Sequence, residues 1–158
     1  RPYLHVAYCD VTKPASFPRP PGLFDTAICL NVVEHIDRDV TALRNIASVL
    51  CHGGRALVLT PNSPWLFSSL DRVLGHHRRY SRLLLKKRCE AAGFKVERII
   101  PFNRFGTLAW FLNGKILRRR YFGLGQIWLL NMLTPILKLL DRILPLPPLS
   151  LIAVLRKP

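Results

Sequence analysis

Residues 24–36 read FDTAICLNVVEHI, and this stretch decides the fold. Phe24, Ala27, Ile28, Leu30, Val32 and Val33 form an apolar block too dense for a half-exposed strand. The block predicts a buried strand that ends in a polar turn. Asp37 follows where a helix N-cap belongs, and Val40, Leu43, Ile46, Ala47 and Leu50 recur at helical spacing. Gly53 and Gly54 are expected to end that helix, and residues 55–60, RALVLT, to form a second buried strand. A β-α-β unit implies a right-handed crossover and a parallel sheet. Open parallel sheets bind ligands beyond the carboxyl ends of their strands. Here those ends carry Asn31, Glu34 and His35, then Pro61 and Asn62.

Working outward, 158 residues with 49% apolar content predict one domain with a real core. The four cysteines, Cys9, Cys29, Cys51 and Cys89, lie far apart, so zinc and redox motifs are disfavoured and no metal is expected. A reducing, cytoplasmic compartment is the default for such cysteine usage. The net charge of +15 is uneven, at +1 over residues 1–75 and +14 over residues 76–158. The second part expects an anionic partner. Nucleic acid fits poorly, because the basic residues alternate with long Leu-rich runs rather than lining a polar groove with stacking aromatics.

Residues 64–75, PWLFSSLDRVLG, form an apolar stretch that would cover an acceptor site. HHRRY follows at residues 76–80. Ser81 is the expected N-cap of the next helix, with Tyr80 and Leu85 at the spacing of a hydrophobic staple and Gly93 closing it. Cations before a helix start oppose its dipole, which becomes sensible if an anion binds there. His77, Arg78, Arg79 and Tyr80 are therefore candidate contacts to an acidic group on a substrate; the other reading is a solvated basic turn. Residues 94–100, FKVERII, and 151–155, LIAVL, predict two further strands.

Residues 103–148 form an insertion between those strands. LAWFLNGKIL at 108–117 runs into Arg118, Arg119 and Arg120. In residues 126–144, Asn131, Thr134, Lys138 and Asp141 make a polar stripe on a wide apolar helix. Pro135, Lys138 and Asp141 argue against a spanning helix, and Trp, Phe and Leu beside basic groups suit an interfacial one. Residues 108–144 thus read either as a peripheral membrane contact, at the inner face of the membrane, or as a lid packed on the domain.

FDTAICLNVVEHI, LCHGGRALVLTPN and GHHRRYSRLLLKKRCEAAGF, in this order, resemble the class I S-adenosylmethionine-dependent methyltransferases. The subgroup most resembled is often found beside glycosyltransferases that act on polyprenyl lipids. The resemblance runs from about Leu4 to Lys157 and implies S-adenosylmethionine as cofactor, with a hydrophobic or lipid-linked acceptor. It implies that Asp10, after a strand at residues 4–8, contacts the cofactor's adenine amine, that Asn31 and Glu34 lie beside the cofactor, and that His35 is a candidate general base. Methyl transfer needs little acid–base help once donor and acceptor are aligned.

The family's glycine-rich turn and ribose-binding acid have no counterpart here. The family strand order 3-2-1-4-5-7-6 then implies a partial α/β Rossmann-like sheet, with strands 3–7 present and 1–2 absent, and a helical apolar and basic insertion before the last strand. The expected organisation is a methyltransferase core at 1–102, the insertion at 103–148 and the last core strand at 149–158. Strand 3 would lack a neighbour, and the chain reads as the later part of a methyltransferase. The remaining alternative is a non-catalytic, membrane- or partner-binding relative.

Overall fold

The computed structural model describes residues 6–17, 24–121, 123–141 and 143–158. Strand β1 (Phe24–Leu30) leads through a short turn into helix α1 (Asp39–Val49) and strand β2 (Leu50–Pro61). Helices α2 (Ser69–Val73) and α3 (Arg82–Ala91) precede strand β3 (Lys95–Phe102). Helix α4 (Arg104–Trp110) continues as a wider π-turn over Phe111–Ile116; helix α5 (Leu124–Leu140) and strand β4 (Ser150–Arg156) complete the chain.

The four strands form one sheet in the order β1-β2-β4-β3. β1 and β2 are parallel, and β4 runs antiparallel to both of its neighbours. This matches the expected arrangement of family strands 4, 5, 7 and 6. The strand expected at residues 4–8 does not form where the structure describes it. Val6 and Tyr8 lie in unpaired chain, each 88% exposed, and residues 4 and 5 are outside the described set. The physical reason is the one the sequence raised: no neighbouring strand completes its hydrogen bonds. The connector at 14–22 is described only to Phe17, with one helical turn at Pro14–Ser16.

Two local expectations are corrected. Asp37 does not cap α1; the helix starts two residues later, where Asp39 Oδ1 accepts the Val40 N–H at 2.8 Å. Gly53 and Gly54 do not end α1 either, because β2 already begins at Leu50. They lie in a bulge between the register pairs Phe24–Leu50 and Thr26–Arg55. Gly53 has φ +77°, which glycine alone adopts freely. The later elements follow their signals. Ser81 Oγ accepts the Leu84 N–H at 3.1 Å, and Gly93 ends α3 at φ +93°.

The core lies between one face of the sheet and helices α1 and α3. Val58, Ala153 and Leu155 from the strands meet Leu43, Leu85 and Cys89 from the helices, all fully buried. Tyr80 and Leu85, the predicted staple, belong to this core. The outer face is more open among the described residues: Ile28 is 64% exposed and Leu30 56%. This corrects the expected buried strand: β1 is an edge strand of the described sheet, with Cys29 its one buried residue, because no described strand pairs with its other side.

Burial raises the thiol pKa of Cys29 to about 11, with the nearby Glu34 charge adding to it. Burial likewise raises Cys89 to about 12, helped by Asp39. Both thiols therefore remain protonated at pH 8 in the folded chain, while Cys9 is exposed and Cys51 half-buried. Labelling with a thiol-reactive reagent at pH 8 is expected to modify Cys9 and Cys51 first. Cys29 and Cys89 should react only on unfolding; fast modification of all four before unfolding would contradict this packing.

Candidate functional site

The carboxyl ends of β1, β2 and β3 meet the start of β4 at a cavity of about 430 Å³. Leu59, Pro61, Leu74, Phe102, Trp110 and Leu149 form its apolar walls. Asn31, His35, His76 and Arg79 are polar groups at its lining. This is where a parallel sheet offers ligand space, because strand-end loops leave unpaired polar groups there.

Asn31 ends β1 in the left-handed region at φ +52°, a conformation asparagine tolerates better than branched residues. Its backbone N–H donates to the Leu59 carbonyl at 3.1 Å, which fixes the turn against β2. The next turn, Val33–His35, places Glu34 inward and His35 outward. Glu34 is fully buried, and no hydrogen-bond donor meets either carboxylate oxygen among the described residues. Burial raises its pKa, opposed by its own backbone N–H, which lies nearby but outside hydrogen-bond geometry, and by the neighbouring His76, His35 and Arg79.

Asp71, also fully buried, organises the other wall. Its carboxylate accepts Arg79 Nε–H at 2.8 Å, His76 Nδ1–H at 2.8 Å and the Ser68 N–H at 2.9 Å. Ser68 Oγ–H at 3.2 Å and Trp110 Nε1–H at 3.2 Å also donate to it. Burial alone would raise the Asp71 pKa. The His76 hydrogen bond and the Arg79 charge, followed by the Arg79 and Ser68 hydrogen bonds, outweigh it and hold the group below the usual carboxylate range. Arg79 also donates to the Asn62 carbonyl at 2.9 Å, and its guanidinium stacks 4.5 Å from the Trp110 ring centre.

The basic run HHRRY is divided by the fold. Arg79 lines the cavity, and so does His76, which the sequence did not single out. His77 is exposed, and its backbone N–H donates to the Glu34 carbonyl at 2.8 Å. Arg78 pairs with Asp37 at 3.0 Å and Asp39 at 3.2 Å, and donates to the carbonyls of Ile36 and Asp37. Tyr80 is fully buried and donates to Asp39 at 2.9 Å; burial, then the Asp39 charge, pushes its pKa upward. The cations ahead of α3 are thus balanced by carboxylates at Asp37, Asp39 and Asp71, without a ligand. Asp10 lies outside this cavity. It closes a local turn, accepting from Thr12 N at 3.0 Å and Thr12 Oγ at 2.7 Å. Those bonds, against weak desolvation, lower its pKa, with Lys13 adding to the effect. Its neighbour Val11 lines a second, apolar cavity of about 460 Å³ between β1 and α1.

Residues 5–99 match a protein family described as a methyltransferase domain. The chain belongs to this family. It is therefore a methyltransferase by class, and S-adenosylmethionine is the cofactor of that class. No curated protein matches. Among solved structures, a S-adenosylmethionine-dependent methyltransferase from Mesorhizobium loti superposes with a TM-score of 0.60 at 12% identity, covering 94% of this chain and 67% of that one. One from Archaeoglobus fulgidus gives 0.57 at 19% identity, covering 99% and 69%. The Burkholderia thailandensis 1,6-didemethyltoxoflavin-N1-methyltransferase, solved with its substrate and S-adenosylhomocysteine, gives 0.54 at 15% identity, covering 94% and 48%. The chain spans between about half and three quarters of the length of such structures.

Removing one partner of a buried ion pair strands the other charge and typically costs 3–5 kcal/mol. Asp71→Asn is expected to destabilise the fold by about that amount in urea unfolding at pH 7. Arg79→Ala should cost nearly as much, and the double variant much less than the sum. Because the folded-state pKa of Asp71 is depressed, its contribution is present above the unfolded carboxylate range and fades as pH falls through the folded value. The Asp71→Asn deficit should therefore shrink in acid; a pH-independent deficit would exclude the ion pair as its cause.

Proposed function

We propose that this chain transfers a methyl group from S-adenosylmethionine to a hydrophobic or anionic acceptor, of the lipid-linked kind, held in the cavity beyond the strand ends. The observation that carries this reading is the cavity itself: apolar walls around Asn31, His35 and Arg79, in a chain of a methyltransferase family. Asn31 is assigned to the cofactor, with Glu34 buried in the next turn, and Asp10, outside this cavity and next to Val11 of the second one, is assigned to its adenine end. The cavity's apolar walls exclude water, and displacement at a sulfonium methyl then depends mainly on alignment. His35, exposed at the rim, is assigned as the base that takes a proton from an acceptor hydroxyl when no ion holds its ring. Arg79 is the cation of the basic run that reaches the cavity; Arg78, His77 and Tyr80 shape the turn that presents it.

Calorimetry with S-adenosylhomocysteine tests the cofactor assignment, alongside circular dichroism to establish folding. Saturable micromolar binding, weakened at least ~10-fold in Asn31→Ala, is expected for a side chain that contacts the ligand. No binding by a folded chain would overturn cofactor use by this chain and leave a non-catalytic relative.

A second reading concerns where the chain works. Leu124, Ile127, Trp128, Met132, Ile136 and Leu139 of α5 are exposed, while Thr134 and Asp141 of the anticipated polar stripe are partly sheltered. Thr134 Oγ–H donates to the Leu130 carbonyl, and Asp141 accepts the Phe105 N–H. The helix thus turns apolar residues outward next to the exposed Arg118, Arg119 and Arg120, which favours contact with an anionic membrane surface over a lid. Among the described residues no helix is long and apolar enough to cross a membrane. Co-flotation with phosphatidylglycerol-containing vesicles is expected, weakened by Trp128→Ser with Ile136→Ser and only partly by salt. Absence of flotation, or flotation indifferent to those substitutions, would remove this reading.

A further inference from the structure

At the cavity rim lies a side-chain cluster whose chemistry methyl transfer alone does not require. Glu34, His35 and His76 each offer one ligand atom, and the three atoms lie within 4.8 Å of one another. The carboxylate of Glu34 is fully buried with no hydrogen-bond donor on either oxygen among the described residues. Buried carboxylates are costly unless a cation or donors meet them. Arg79, whose charge acts on Glu34, is already committed to Asp71 and to the Asn62 carbonyl.

Each imidazole has its Nδ1 committed to a protein acceptor. Asp71 accepts the Nδ1–H of His76 at 2.8 Å, so in the neutral ring Nε2 carries the lone pair. The Gly75 carbonyl lies 3.3 Å from His35 Nδ1. A carbonyl only accepts, so the His35 proton sits on Nδ1 and Nε2 is again the free donor atom. A carboxylate or carbonyl behind each ring is the usual support of metal-bound histidine. The two rings meet edge to face, their centres 4.7 Å apart. The hydrogen bond from His77 N–H to the Glu34 carbonyl pins the two segments together.

We propose that Glu34, His35 and His76 bind one divalent transition-metal ion. Two imidazole nitrogens and one carboxylate suit zinc and its neighbours in the first row, whereas calcium and magnesium prefer all-oxygen sites. Ligands ~2.1 Å from a tetrahedral ion stand ~3.4 Å apart, so from separations of up to 4.8 Å the cluster closes by at most ~1.4 Å on binding. His35 is exposed and its ring has room to move, whereas the His76 side chain is 8% exposed and held by Asp71, so the closure falls on His35. With three protein ligands the ion keeps an open position, and both histidines line the cavity. An oxygen of a molecule in the cavity would find a Lewis acid there. The site stands on its own geometry and does not rest on the methyl-transfer reading.

Titration of the whole chain with Co2+ tests this by visible absorption, followed by competition with Zn2+. The expected result is a saturating signal at one equivalent, displaced by Zn2+. His35→Ala, His76→Ala and Glu34→Gln should each weaken binding at least ~10-fold, while His52→Ala, at an exposed position on β2, leaves it unchanged. Should His76→Ala fail to fold after Asp71 loses a partner, the other two variants decide. A folded chain that binds no Co2+ would overturn the site, as would wild-type affinity in His35→Ala and Glu34→Gln.

Discussion

Asp71 is the carboxylate on which the site is built. It is fully buried and draws Arg79, His76, Ser68 and Trp110 into one network. The first three lie within eight residues of Asp71 and Trp110 comes from α4, 39 residues on, so one charge ties α2 and the basic turn to the insertion. The low dielectric that strengthens each bond also makes the network intolerant of losing a member. Arg79 shows the consequence: pinned between Asp71, the Asn62 carbonyl and the Trp110 ring, it is a fixed part of the cavity wall rather than a mobile surface cation.

Glu34 and Asp71 form an instructive contrast. Both are fully buried carboxylates at the carboxyl end of the sheet. Asp71 is surrounded by donors and its pKa is lowered; Glu34 has none and its pKa is raised. The same chemical group is therefore a structural anchor on one wall and a poised, unsatisfied group on the other. Environment divides the two roles, and paired carboxylates with opposite shifts commonly mark functional sites.

Much of the architecture was legible in the sequence because local patterns carried it. The dense apolar run at β2, the Ser81 cap and the glycine after α3 each have a local physical cause and appear where expected; β1 forms where expected but not as the buried strand its apolar density implied. The Gly53–Gly54 pair misled because the same two residues that stop a helix also form a bulge, and only the register against β1 distinguishes the outcomes. The site was less legible. Asn31, His35 and Pro61 share the cavity as strand-end reasoning implies, and Arg79 of the basic run joins them, but His76, Asp71 and Trp110 carry no local signature. Their roles depend on contacts made across α2, α4 and the basic turn. The charge run was the hardest to interpret: its partners, Asp37, Asp39 and Asp71, lie up to 41 residues away, and a list of cations does not show which are already paired.

The antiparallel β3–β4 pair has a consequence for the insertion between them. Phe102 lies opposite Ser150, and the Leu149 N–H donates to the Asn103 carbonyl at 2.9 Å, so residues 103–149 leave and re-enter the sheet at one point. A segment anchored this way behaves as a graft on a closed stem. Doubling such a loop's length costs only ~0.6 kcal/mol in closure entropy. The core can therefore accept a longer, shorter or differently charged insertion without rebuilding its strands. Because α4 and its Trp110 also wall the cavity, each exchange would redesign one side of the binding space and the outward face of α5 together, linking what the chain holds to the surface it rests upon.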